Sequence, residues 1–172
     1  ITGALALSIL STASAATGVV FTQSELLADT DVQADGILLY AYNFAAPGGQ
    51  TVNGIPFTTM PAGVLSSNWQ TYPYSDACTD CGGATAQLGT VLNTLAFINP
   101  DGAETITLAG LTIGQRYRAQ VLMSNDVNDT GNREQFIMGG VTHTMSSWTT
   151  NGPGTSVALT VEFTAESTTE AI

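Results

Sequence analysis

The chain contains no lysine, a single histidine (His143) and only three cationic side chains, Arg116, Arg118 and Arg133. Against these stand 14 Asp and Glu, for a formal net charge of −11. Such a surface repels phosphate backbones and anionic lipid. Nucleic-acid recognition, which needs clustered Lys and Arg, is therefore excluded as a function class. Long hydrophobic runs are also lacking. The longest, Ile1–Leu10, is shorter than the roughly 20 residues that span a bilayer, so no membrane span is expected within the sequence. Cysteine is nearly absent, with Cys78 and Cys81 alone in a C-x-x-C. In an exported protein that spacing reads first as a local disulfide. A zinc half-site would need a second ligand pair. A thioredoxin-like redox pair would need a strand-to-helix turn ahead of the first Cys, and the preceding 69–76 reads as loop. Free thiols are the remaining reading.

What is present points outward from the cell. The apolar run Ile1–Leu10 is followed by Ser11-Thr12-Ala13-Ser14-Ala15. Together they have the h-region and the small-residue A-x-A exit of a secretory signal peptide, with cleavage expected after Ala15. The charged n-region and the start Met are missing, so the front is expected to be truncated. The last residues, Thr168–Ile172, read as an unfinished strand, so truncation is expected there too. Residues 1–15 are thus assigned as signal peptide and 16–172 as a single domain, long enough to bury a core. The 44% hydrophobic content argues against disorder.

Within that domain, apolar/polar alternation and turn residues dominate. Gly36–Phe44 is apolar on both faces and so reads as a central strand. Asn53-Gly54 and Gly139-Gly140 each sit between short strand patterns and predict tight hairpins. Pro56 places its strand at an edge or bulge. In Ser156–Phe163, Val157, Leu159, Val161 and Phe163 alternate as an inward face. Ala84–Phe97 is the one segment with helical spacing, through Leu88, Val91, Leu92 and Leu95. About eight short strands with one short helix predict an all-β fold, an antiparallel β-sandwich of jelly-roll-like form.

Leu108-x-x-Leu111-x-x-Gly114-x-x-Tyr117 resembles the tyrosine corner of immunoglobulin-like and fibronectin type III sandwiches. A wider set of segments resembles another group: Ala28–Gly36, Tyr40–Phe44, Val52–Phe57, Ile106–Tyr117 and Val161–Ala165. Together they look like exported bacterial β-sandwich domains found in proteins with a PEP-CTERM-type sorting tail, which are similar to galactose-binding-like jelly rolls. The resemblance implies a secreted or cell-surface bacterial protein. It also implies a structural calcium ion, which such jelly rolls often carry, and no assigned activity.

Several residues are candidates for chemistry. Trp69, Tyr72 and Tyr74 lie close together beside Pro73, and flat aromatic faces of this kind stack on sugar rings. Asp29, Asp31 and Asp35 form one oxygen-rich cluster, and Asp126 and Asp129, with neighbouring Asn residues, form another. Hard cations such as calcium take six to eight oxygens from such loops. Neither cluster is an EF-hand, because position 12 of the second is Ile137 where a bidentate Glu belongs. His143 lies in a strand pattern with no nucleophile elbow nearby, so it reads as a half-buried strand residue and no catalytic residue is assigned. Arg116 and Arg118 share a strand face and are expected to pair with carboxylates. The first expectation is a non-enzymatic extracellular or cell-surface structural and adhesion module, with extracellular polysaccharide or surface proteins as partners. The alternative is a carbohydrate-binding module using the loop aromatics. A glycan hydrolase is a weaker alternative, because no carboxylate pair stands out.

Overall fold

The computed structural model describes residues 2–9, 18–44, 48–66, 69–73, 86–92, 94–98, 103–124, 135–145 and 156–172. These are mostly β. The strands are β1 (Thr2–Ile9), β2 (Val20–Glu25), β3 (Ile37–Asn43), β4 (Gln50–Val52), β5 (Ile55–Thr59), β6 (Trp69–Pro73) and β7 (Thr94–Ile98). They continue with β8 (Thr107–Ala109), β9 (Arg116–Ser124), β10 (Gln135–Met138), β11 (Val141–Thr144), β12 (Ser156–Thr164) and β13 (Thr169–Ala171). One helix, α1, covers Ala86–Leu92. Among the described residues no helix is long and apolar enough to cross a membrane.

The main sheet runs β2-β12-β9-β1-β3-β5-β4, with β6 and β7 joined to it through β1. β3 is interior, as its two-sided apolar pattern predicts. One face of the sheet carries Leu5, Leu7, Tyr117, Val121, Leu159 and Val161. It is covered by two smaller sheets, β8–β13 with Ile106, Leu108 and Ile172, and β10–β11 with Phe136 and Met138. The other face carries Ala4, Ala6, Ala41, Leu122 and Ala158. Over it lie Leu88, Val91 and Leu92 of α1, Phe57 and Val52 of the β4–β5 hairpin, and Val32. The result is the sandwich-like, all-β architecture that the strand pattern predicts. A row of alanines is what lets α1 lie close to this second face.

The apolar run that reads as an export leader is, in the structure, strand β1. It lies between β3 and β9, antiparallel to both. Leu5 and Leu7 enter one core cluster and Ala4 and Ala6 the other. A strand buried on both faces and an h-region share one composition, because neither meets water along its length. In the strand, Ala4-Leu5-Ala6-Leu7 puts large side chains on one face and small ones on the other. Beyond Leu7 the register with β3 shifts by a residue, leaving Leu39 as a bulge. At the end of β1, Gly36 (φ +92°) passes so close that a Cβ there would stand 2.3 Å from the Ile9 carbonyl oxygen.

Both predicted hairpins form. Asn53 and Gly54 have φ of 47° and 79°, and Gly139 and Gly140 have 54° and 76°, the paired positive values of a type I′ turn. Two local features depart from the pattern. The sheet is not wholly antiparallel, because β5 pairs parallel with β3 through Tyr42–Thr58 and Asn43–Thr59. The chain leaving β3 crosses β5 to reach β4 on the outside, and the β4–β5 hairpin then returns β5 into the gap. That crossing is tight: a Cβ on Gly48 would lie 2.6 Å from Thr58 Cα. β5 lies between β3 and β4 and not at the edge or bulge that Pro56 predicts, but Pro56 is on the part of β5 that pairs only with β4, so its missing N–H costs no ladder bond. The predicted helix over 84–97 is also shorter than its periodicity. Leu88, Val91 and Leu92 are buried as predicted, but 94–98 forms β7, which pairs with β6 and meets β1 at Thr2–Leu95.

If β1 is a core strand, a chain beginning at Ala16 should lose the cooperative thermal melt of the full chain. Leu7→Ala should cost about 2–5 kcal/mol in urea unfolding, the usual range for a leucine truncated in a packed core. An unchanged melt for the shorter chain would show that β1 contributes nothing to the fold.

Candidate functional site

The first acidic cluster lies on the connection from β2 to β3, where Asp29–Asp31 form a single 3-10 turn. One carboxylate oxygen of Asp31 accepts the backbone N–H groups of Leu27 (2.7 Å) and Ala28 (2.8 Å), so it closes its own loop. This is the local capping that short acidic side chains favour in turns. The loop is pinned to the sheet by the buried Gln120. Its amide nitrogen donates to the Asp31 carbonyl (3.1 Å) and its oxygen accepts the Gln33 N–H (3.1 Å). Asp35 faces elsewhere and pairs with Arg118. Among the described residues, no three His, Cys, Asp or Glu side chains gather where they could hold a metal ion. The three aspartates are therefore not brought together. Asp126 and Asp129 lie outside the described residues.

Arg118 is the centre of a charge network. Its guanidinium donates to Asp35, and through Nε (3.2 Å) and Nη2 (3.0 Å) to Glu162, which also accepts from Arg116. Arg118 and Glu162 are directly opposite in the β9–β12 register, so sheet geometry brings them together, as the shared arginine face predicts. Partly exposed pairs of this kind contribute about 0.2–1 kcal/mol each.

His143 is a half-buried residue of β11, as its strand pattern predicts. Its ring stacks on Phe21 (centroids 5.7 Å apart), and Nε2 lies 3.5 Å from Gln23 Oε1. These contacts seat the β10–β11 hairpin against β2. Tyr117 makes the bond of a tyrosine corner: its hydroxyl accepts the Thr112 N–H at 2.7 Å. Sequence reasoning missed the second tyrosine site. Tyr40 and Tyr42, two apart on β3, stack with centroids 4.7 Å apart and an interplanar angle of 10°. The Tyr40 hydroxyl accepts the Ala109 N–H at 3.1 Å and so ties β8 to the main sheet. The i, i+2 spacing on one strand face was the available signal. Burial pushes the Tyr40 hydroxyl up to about 12, with neighbouring Tyr42 adding to the rise and the Ala109 hydrogen bond opposing it.

Of the aromatic candidates, Trp69 and Tyr72 do not lie in the loop that the sequence predicts over 69–76 but on strand β6, the outer partner of β7, in register with Ile98 and Leu95. Tyr74, Cys78, Cys81 and Arg133 lie outside the described residues. Among described side chains, one buried polar atom lacks a partner. The Asn43 carbonyl oxygen is unpaired, while its amide nitrogen donates to Gln50 Oε1 at 2.7 Å. No family model, curated protein or solved structure matches the chain.

Asp31→Ala should lower stability by about 0.5–2 kcal/mol through loss of the loop cap. The loss should be the same in calcium and in chelator if the carboxylate serves its loop alone; a difference between the two conditions would implicate a cation. Tyr40 gives a pH test. The folded state holds its proton above the unfolded value of 10.0. The unfolded chain therefore ionises first, and stability should fall as pH rises from about 10 through about 12. Tyr40→Phe should flatten that decline, while losing about 0.5–1.5 kcal/mol at neutral pH from the unpaired Ala109 N–H. Urea unfolding at about pH 8, 10 and 11 reads both effects.

Proposed function

We propose that this chain is a non-enzymatic structural and adhesion module of the bacterial cell exterior, of the kind its sequence resembles. The observation that carries the reading is how its polar side chains are used. Asp31 caps a loop, and Asp35, Arg118, Glu162 and Arg116 lace β9, β12 and the β2–β3 connection together. His143 seats a hairpin, and the Glu170 carboxylate accepts the N–H groups of Glu166 (2.9 Å) and Ser167 (3.0 Å) ahead of β13. These groups hold surface segments to a sheet, which is the work of a stable scaffold. The excess of acid keeps such a module soluble and repels like-charged neighbours.

A second reading, carbohydrate binding, rests on one placement: Trp69 and Tyr72 both lie on β6, which among the described residues pairs with β7 alone, three positions apart and so on alternate faces of the strand. Aromatic faces stack on sugar rings.

Antibody labelling of intact source cells tests the first reading. Signal on intact cells is expected, and signal only after lysis would refute an exterior location. Retention on a panel of insoluble polysaccharides tests the second. Binding that is lost in Trp69→Ala/Tyr72→Ala, with the melt unchanged, would favour the glycan module. No retention of the folded protein would leave the scaffold reading.

A further inference from the structure

Asn53 and Gly54 are the two central residues of the β4–β5 hairpin, and both are exposed. Val52 and Ile55 flank them as the last ladder pair. A two-residue hairpin is closed by the bonds of that flanking pair, so the Gly54 N–H takes no part in the turn. A Cβ added to Gly54 would meet nothing within 4 Å, so this side of the turn is open to water. Glycine also leaves its own nitrogen less shielded than any other residue, because it carries no Cβ. The electrophilic amide carbon of Asn53 therefore adjoins an unbonded, uncovered main-chain nitrogen. Asn43 is the contrast: it is fully buried and is followed by Phe44.

The use that Asn53 makes of its amide gives a reaction there a structural consequence. Its Nδ2 donates to the Val32 carbonyl at 2.8 Å. Val32 follows the 3-10 turn and is buried in the core cluster that also holds Val52 and Ile55. This bond fastens the tip of the β4–β5 hairpin to the β2–β3 connection. Attack by the Gly54 nitrogen turns the amide away from Val32, so the fastening breaks as the reaction proceeds.

We propose that Asn53 is a modification site: it converts without an enzyme to aspartate and isoaspartate, and conversion unfastens the β4–β5 hairpin from the β2–β3 connection. The Gly54 nitrogen gives up its proton to solvent base and bonds to Asn53 Cγ. The Cγ–Nδ2 bond breaks, and the nitrogen takes a proton from water and leaves as ammonia. Water then opens the cyclic imide at either carbonyl. Opening at Cγ breaks the new bond and gives aspartate. Opening at the main-chain carbonyl breaks the original peptide bond and leaves the chain running through Cγ, as isoaspartate. One water is consumed, one ammonia is released, and nothing is oxidised or reduced. Both products lose the donor to Val32. In aspartate a carboxylate faces the Val32 carbonyl with no proton between them. In isoaspartate an extra methylene enters a turn whose flanks, Val52 and Ile55, are buried. The chemistry needs only water, wherever the protein resides and whatever it binds.

The test uses the full folded chain carrying Asn151→Gln, which removes the other Asn-Gly pair, at 151–152, outside the described residues. It is held in mildly alkaline buffer beside a synthetic peptide of residues 50–57, sampled over time, digested and mapped by mass spectrometry. Residue 53 should show the amide-to-acid mass gain in two chromatographically distinct isomers, increasing with time and with hydroxide, while Asn43 stays unchanged. Converted protein is then separated by its added negative charge. Its Val52 and Ile55 amide hydrogens should exchange at least about tenfold faster, the effect of losing roughly one hydrogen bond. Asn53→Asp, made directly, should show the same acceleration without the long incubation. Conversion of the peptide but not of the folded chain would overturn the site. Unchanged Val52 and Ile55 exchange in both the converted and the Asn53→Asp proteins would overturn the unfastening.

Discussion

The double ladder on β1 is the interaction on which the rest of the structure depends. Two parts of the sheet meet there: β2, β12 and β9 on one side, β3, β5 and β4 on the other. β1 also touches both cores, through Leu5 and Leu7 on one face and Ala4 and Ala6 on the other. Its alanines set how closely α1 approaches, and its leucines lie beneath the layer formed by β8–β13 and β10–β11. A strand so placed contributes through hydrogen bonding and burial at once. Leucine truncations there should accordingly fall in the range of other tightly packed cores.

Around that centre, polar side chains fasten the covering segments. Gln120 reaches from β9 to the 3-10 turn, Tyr40 to β8, Tyr117 to its own preceding loop, and His143 to Phe21 and Gln23 of β2. Each links an element of the sheet to something laid over or beside it. None of these links requires charge, which suits a chain with three arginines and no lysine. Among the described residues, Arg116 and Arg118 share one charge network with Glu162 and Asp35, where cross-strand register holds Arg118 against Glu162.

Much of this was legible in the sequence because it is local. Asn53-Gly54 and Gly139-Gly140 form hairpins because both central residues adopt positive φ, which few other dipeptides tolerate. The spacing of Leu88, Val91 and Leu92 marked a helix face, and the alternation in Ser156–Phe163 marked a strand. What local pattern could not show was where periodicity gives way to pairing. Leu95 continues the helical spacing, yet 94–98 is a strand because β6 and the start of β1 offer it partners. Likewise, three aspartates within seven positions resemble a cation loop. Tertiary structure separates them, turning Asp31 toward its own backbone and Asp35 toward Arg118.

By itself, the sequence determined the β-rich class, the turns and the acidic charge, all of which follow from residue type and short-range geometry. Tertiary structure alone decided that Thr2–Ile9 is a central strand, that β5 slips between β3 and β4, and that Tyr40 caps a distant strand. The reason is physical. Hydrophobicity states only that a segment avoids water, while the core or bilayer that shelters it is set by partners far away in the chain. For Thr2–Ile9 those partners are β3 and β9, which begin 35 and 114 positions later in the sequence.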